Sequence, residues 1–358
     1  SQAKQMIDTL EAHGINYSYH FEPEAGHWWD KSDEPGTDCV DWPPLFDYFA
    51  RHRLPDNNQI RKVDFTTANP EISAWSHWLG IMAQSRQLQL SNAKFQWNPG
   101  SASFVGQTEN VERLSLKLDH INSKDTLEVE IDGQKVDKIP YPQETAQLWF
   151  EKDVDQTWQQ INKPSSSLKG PHRYGTFKSA FNHRFMFVYS TQGTAAENEW
   201  SYNKARYDAE TFWYQGNGAI DIIPDTLYDI EKYADRGIIL YGNSETNAAW
   251  SDLLAESPVQ VDGNCVKVGE KNITGKDLAC FFVRPKTNSD IASVGVVSGT
   301  GLVGMRSTNT HSYMYPAHNY PDLAVFDLSQ NSENDRGIIV SGFFGLDWSL
   351  KNGDFKWK

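Results

Sequence analysis

Cysteine is scarce: Cys39, Cys265 and Cys280 are the whole complement. Their spacing fits no metal-binding pattern, and neither a metal nor any other cofactor is expected. Cys265 and Cys280 could face each other on neighbouring strands, with free buried thiols as the default. The low cysteine and methionine counts leave the compartment open. Long apolar runs are lacking, and none approaches the roughly 18 residues of a membrane-spanning helix, so no membrane insertion is expected. Positive charge is short. Lys and Arg number 33 against 47 Asp and Glu, for a net charge of -14, so nucleic acid and anionic membrane surfaces would be repelled. The Gly-x-Ser-x-Gly string of a nucleophile elbow occurs nowhere in the sequence.

Aromatic residues are plentiful, with 13 Trp, 15 Tyr and 18 Phe. That richness suits β-rich or carbohydrate-facing surfaces. Trp28, Trp29, Trp75, Trp78 and Trp97 could stack on sugars, although tryptophan in a β-sandwich is more often core.

A length of 358 residues predicts two to three domains. Residues 2–13 read as a helix, with Met6, Ile7 and Leu10 in one stripe and Gly14 ending it. A strand is expected over 15–21, a loop over 22–30, and a helix over 42–52 with Pro43 and Pro44 in its first turn. The polar stretch 55–59 marks a first boundary. From Ile60 the pattern has period two, in short runs separated by turn signals such as Asn69-Pro70 and Asp132-Gly133, which predicts a β-sandwich over 58–162. A Ser- and Pro-containing loop over 162–171 marks the second boundary. Beyond it, apolar runs at 184–189, 219–223, 237–241, 279–283 and 292–297 alternate with helical stretches. The expectation over 163–358 is a three-layer α/β domain with a largely parallel sheet. The predicted fold class is thus α/β plus β, with residues 1–57 as a separate segment.

The order helix, strand, Gly-His loop, helix at the start of the chain singles out His27. An imidazole on a loop after a strand can reach a serine hydroxyl as general base, and Gly26 frees the backbone for the turn. The bland alternative is a surface histidine between a glycine and two tryptophans.

Residues 1–54 resemble the C-terminal end of prolyl-oligopeptidase-family serine hydrolases, an α/β-hydrolase family. The likeness rests on Tyr17-Ser-Tyr-His-Phe, Glu24-Ala-Gly-His27-Trp-Trp and a closing helix with Phe46 and Phe49. Gly175-Thr-Phe-Lys-Ser-Ala-Phe181, Lys204-Ala-Arg-Tyr-Asp-Ala-Glu-Thr-Phe-Trp213, Ile239-Leu-Tyr-Gly-Asn243 and Val297-Ser-Gly-Thr-Gly301 resemble a C-terminal extension of some secreted bacterial members. The resemblance implies that His27 is the general base and that the nucleophile and acid precede Ser1. It implies an upstream hydrolase domain as partner, a peptide, ester or glycan as substrate, and a secreted or periplasmic location. Without the nucleophile, the chain alone would be inactive. The competing expectation is a non-catalytic binding or scaffolding module that recognises polysaccharide or a partner domain.

Three further stretches carry candidate chemistry. Gly299-Thr-Gly-Leu-Val-Gly304 matches the dinucleotide string, but the polar residues after it lack a helical period, so a glycine-rich turn is preferred. Tyr241-Gly-Asn-Ser-Glu-Thr-Asn247 follows a strand, and its side chains can simply cap a helix. If the two loops share a sheet edge, Asn243, Ser244, Arg284, Ser298, Thr300 and Arg306 could hold an anionic or sugar ligand. A Ser–His pair drawn from Ser244 or Ser298 with His311 or His318 finds no acid. The 204–213 helix reads as a solvated face with an Arg206–Glu210 pair.

Overall fold

The computed structural model describes residues 2–121, 126–142, 145–315, 319–328 and 337–358. The chain divides into two compact units, Ser1–Asp56 and Asn57–Lys358.

In the first unit, α1 (Gln2–Ala12) ends where Gly14 takes φ 64°, the left-handed turn that glycine tolerates. α2 is Asp38–Asp41, and α3 (Pro43–Arg51) carries both prolines in its first turn, where their missing N–H groups cost nothing. The expected strand over 15–21 does not form. An extended segment becomes a strand only when a neighbour takes its backbone bonds, and no described residue of 2–56 lies in a strand. None of these residues is buried either; Phe46 and Phe49 are 53% and 58% exposed. The unit therefore has no hydrophobic interior of its own.

The second unit opens with strands β1 (Lys62–Thr67), β2 (Trp75–Ser76), β3 (Leu79–Gln84), β4 (Ser91–Asn98), β5 (Ser103–Glu109), β6 (Val111–Lys117), β7 (Thr126–Ile131), β8 (Gln134–Pro140), β9 (Gln147–Lys152) and β10 (Trp158–Ile161). Alternate residues turn inward, as Val63, Phe65 and Thr67 do in β1 and Ala93, Phe95 and Trp97 in β4. This is the period-two signal of a half-buried strand. Two five-stranded sheets result, ordered β1-β4-β5-β7-β8 and β10-β9-β6-β3-β2. They contribute to one apolar cluster containing Trp78, Phe104, Leu114 and Phe150. The β7–β8 hairpin turns on Asp132 and Gly133, both at positive φ, as a type I′ turn requires.

The remainder builds on β11 (Phe185–Tyr189), β12 (Asp221–Pro224), β13 (Gly237–Tyr241), β14 (Val259–Val261), β15 (Cys265–Val268), β16 (Lys271–Thr274), β17 (Ala279–Pro285), β18 (Ser293–Gly299), β19 (Leu323–Phe326), β20 (Ile338–Phe343) and β21 (Asp354–Trp357), with helices α4 (Ala195–Gly216), α5 (Trp250–Leu254) and α6 (Gly301–Ser307). The large sheet runs β12-β11-β13-β18-β17-β19-β20-β21. Its first four strands are parallel, but every pairing from β18 to β21 is antiparallel. The expectation of a largely parallel sheet is corrected to a mixed one. A continuous apolar run reports burial on both faces and says nothing of a neighbour's direction. β14, β15 and β16 form a separate antiparallel meander, absent from the sequence reading. Val259, Val261, Val266 and Val268 pack it onto the main core. The cysteines of β15 and β17 are both free.

Between the two sheet systems runs the segment 162–176. Its Lys169 is fully buried, and Nζ lies 2.5 Å from Asp322 Oδ2 and 2.9 Å from Phe344 O. Asp322 also accepts the backbone N–H groups of Thr176 and Phe344, both at 3.0 Å. Gly175 has φ 104°, and a Cβ there would sit 2.4 Å from Asp322 Oδ1. Asp322→Asn leaves a buried ammonium without its counter-charge and should lower the unfolding free energy by about 3–5 kcal/mol in urea melts. Gly175→Ala should cost at least about 2 kcal/mol, through backbone strain plus the clash. A loss under about 1 kcal/mol for Asp322→Asn would show that the pair does not organise this segment.

Candidate functional site

His27 lies in the irregular loop 22–30, on the exposed surface. Its ring meets Trp28 edge-on at 5.3 Å, and it makes no hydrogen bond among the described residues. Two other histidines of this unit are engaged: His52 Nδ1 lies 2.6 Å from Tyr48 O, and His20 is held beside the loop. Its Nε2 is 3.2 Å from Glu22 Oε2, and its ring lies 4.3 Å from Trp42. Glu22 also pairs with the Lys31 ammonium. Lys31 first, and His20 after it, hold the Glu22 carboxyl below its usual range. Asp38 accepts Ser32 Oγ at 2.6 Å and the Lys31 N–H at 2.9 Å. These contacts brace the loop around the surface imidazole.

In the second unit, β11 stands between β12 and β13, so the order of parallel strands reverses at its carboxyl end. Open α/β sheets usually take their ligands outside such a reversal. Here the protein's own backbone and side-chain groups bond one another. Asn247 Nδ2 donates to Tyr241 O at 2.8 Å, and Gln192 N donates to Thr246 O at 2.9 Å. Asp225 accepts Thr191 Oγ1 at 2.5 Å and the Ala248 N–H at 2.7 Å.

The two candidate loops do share an edge, because Asn243 Nδ2 donates to Gly299 O at 3.0 Å. Asn243 and Thr300 are fully buried. Thr300 Oγ1 accepts the Leu278 N–H at 3.0 Å, and the Asn243 N–H donates to Thr246 Oγ1 at 2.9 Å. Ser298 is also fully buried, and its hydroxyl has no partner among the described residues. Ser244 and Arg306 are exposed. Arg284 lies at the far end, since β17 runs antiparallel to β18 and sets Arg284 opposite Val294. Its Nη1 donates to Trp348 O at 2.6 Å, and burial pushes its pKa down to about 10. The six residues therefore do not converge on one pocket.

The glycine-rich string is a packing device. A helix does follow it, beginning at Gly301, contrary to the sequence reading. The seven-residue helix packs so closely that a Cβ on Gly299 would lie 2.3 Å from the Gly304 carbonyl carbon, and one on Gly304 would lie 2.1 Å from Leu278 O. The glycines serve backbone contact, which sequence periodicity cannot register. His318 lies outside the described residues. His311 packs against Phe326 with the rings tilted and their centroids 4.1 Å apart. Trp78 and Trp97 are core residues at 0% and 4% exposure, which removes them as sugar platforms. Trp75 is half-buried under the Lys117 ammonium, 4.1 Å from its ring centre.

The chemistry that does converge lies on α4. A capping box of Thr194 and Glu197 starts the helix, satisfying its free N–H groups. Trp200, Lys204 and Asp208 then recur every four residues on one buried face. Arg206 and Glu210 pair on the exposed face at 2.7 Å as expected, but Asp208 belongs to the interior at 2% exposure. Lys204 Nζ is 2.6 Å from Asp208 Oδ1. Asp208 Oδ2 accepts the Tyr241 hydroxyl at 2.9 Å and also the Tyr313 hydroxyl. Burial lowers the Lys204 pKa, and Asp208 works against that shift. Above this ammonium opens a cleft of about 230 Å³, lined by Trp200, Asn203, Lys204, Tyr207 and Asn309. Trp200 Nε1 donates to Asn309 Oδ1 at 3.1 Å and fixes that wall. The arrangement presents a fixed cation, two amides and the 64%-exposed Tyr207 ring. It can bind a polar ligand that also has an apolar face.

Comparison with protein-family models found no match, and no curated protein matches the chain.

Replacing Asp208 by Asn should destabilise the unit by about 3–5 kcal/mol, because the Lys204 charge then lacks its counter-ion. Tyr313→Phe should cost about 1.5–3 kcal/mol, as expected for a lost hydrogen bond to a charged group. Thermal or urea melts of the two variants check the ranking.

Proposed function

We propose that this chain is a non-catalytic recognition portion of a larger serine hydrolase, and that the α4 cleft is its recognition site for a glycan. One observation carries the reading: the Lys204 ammonium, fixed by Asp208, lies at the floor of an open cleft beside the Tyr207 ring and the Asn203 and Asn309 amides. Sugars offer hydroxyl acceptors and donors on their rim and C–H faces for an aromatic ring, so one cation, two amides and a tyrosine match that chemistry. The closed switch point supports recognition over catalysis in this unit, since the usual ligand crevice is occupied by Asn247, Thr246 and Asp225. Calorimetric titration with oligosaccharides of differing linkage should find at least one ligand. Tyr207→Ala should weaken it by about tenfold or more, equivalent to about 1.4 kcal/mol, while His27→Ala leaves it unchanged. Silence across the panel at millimolar sugar, or binding indifferent to Tyr207, ends this reading.

A second reading concerns the first unit. His27 is exposed and free of hydrogen bonds among the described residues, which suits an imidazole awaiting a serine supplied by other residues. A fluorophosphonate serine probe should leave this chain unlabelled. In a longer chain that includes a Gly-x-Ser-x-Gly turn, the probe should label stoichiometrically, and His27→Ala should cut turnover by about 10⁴-fold or more. Full turnover in that variant would remove His27 from the mechanism.

A further inference from the structure

A second cleft lies where the outer face of β6 and β9 meets the segment 163–172. Its volume is about 430 Å³, within the roughly 300–1,000 Å³ range of small-molecule sites. β6 and β9 are antiparallel, with Arg113 opposite Glu151 and Ser115 opposite Trp149. Arg113 and Trp149 therefore share one face as diagonal neighbours, a spacing of about 7–8 Å. Arg113 is 2% exposed. Its Nη1 donates to Lys169 O at 3.1 Å and its Nη2 to Glu151 Oε1 at 2.6 Å. Its Nε–H and the indole Nε1–H of Trp149 are both buried and have no acceptor among the described residues. Orphaned buried donors are costly, and both residues line the same cavity.

The rim of the cleft bears on the charge of the missing acceptor. Of the cations that line the cleft, Arg113 is paired with Glu151 and Lys169 with Asp322, which leaves the exposed Lys163 at the rim as the cation without a carboxylate partner among the described residues. Asp290 is already engaged by Ser166 Oγ at 2.6 Å. The other walls are apolar, with Met82, Pro164, Pro171 and Ile291 among them. We infer that this cleft binds a small carboxylate with an apolar or aromatic body, its oxygens accepting the Arg113 Nε–H and the Trp149 Nε1–H. The site is separate from the α4 cleft and does not depend on the glycan reading.

Benzoate is the probe, with benzamide as its uncharged counterpart, and the full chain is used with ¹⁵N-labelled tryptophan. Benzoate should move one indole N–H resonance, assigned to Trp149 by its loss in Trp149→Phe. Binding should weaken by about tenfold or more in Trp149→Phe, since one hydrogen bond to a charged acceptor is lost. The rim variant Lys163→Gln should weaken it by about two- to fivefold, and benzamide should bind less tightly than benzoate. Tyr207→Ala should leave benzoate binding unchanged, which separates this result from the glycan test. The inference is overturned if benzoate moves no indole resonance at about 10 mM, a concentration about tenfold above a Kd of about 1 mM. It is equally overturned if Trp149→Phe binds as tightly as the parent.

Discussion

The Lys169–Asp322 pair is the contact on which the second unit depends. Both side chains are fully removed from solvent. Burial pushes each toward its neutral form, lowering the lysine pKa and raising that of the aspartate, and their mutual attraction opposes both shifts. A bare buried pair of this kind gains little over an apolar replacement. This one is saturated: the carboxylate takes two backbone N–H groups and the ammonium takes Phe344 O. The ammonium also lies 4.7 Å from the centre of the Trp348 ring. The contact joins the 162–176 segment to the start of β19 and the end of β20. Through Lys169 O it reaches Arg113 on β6. Two apolar clusters that could have been separate domains are thereby held in one compact unit.

That joint explains which parts of the structure were legible in the sequence. Strands with one wet face announce themselves by alternation, as in β1 and β4. The Asp132-Gly133 turn announced its hairpin because few residues accept positive φ. Helix α4 was legible in outline, yet its two i, i+4 pairs look alike in sequence. Arg206–Glu210 is exposed while Lys204–Asp208 is buried. Only the position of Tyr241 and Tyr313 distinguishes them, and those tyrosines come from β13 and from a loop more than 100 residues away. The strand expected over 15–21 failed for a related reason: extended propensity is local, whereas a ladder needs a second chain segment.

The candidate site was legible as a neighbourhood and illegible as a function. Strand ends in an α/β sheet allow the 241–247 and 298–304 loops to share an edge, and Asn243 does bond Gly299 O there. Whether such an edge is open or closed depends on how many donors and acceptors its own loops consume. At this edge Asn243 alone engages Gly299 O, the Thr246 hydroxyl and the N–H groups of Glu245 and Thr246. Little capacity remains for a ligand. Arg284 went to the opposite end because one strand reversed direction, a fact carried by the connection and not by the strand.

The interior inverts the charge of the molecule. The chain as a whole is acidic, yet among the described residues five cationic side chains are buried against three carboxylates. These cations act largely on backbone carbonyls of distant segments. Arg173 donates to Ser289 O and Ala292 O, and Lys286 donates to Tyr233 O and Ala234 O. Loop carbonyls in an interior must find donors, and a charged donor contributes about 1.5–3 kcal/mol per bond, comparable to the roughly 2–4 kcal/mol of a disulfide. In a chain whose cysteines are free, these cations take over the cross-linking. Unlike a disulfide, each is tolerable only while its acceptors stay in place, because a buried cation that loses them bears its full desolvation cost. The segment 162–176 cannot slide against either sheet system without stranding Lys169 and Arg113 together.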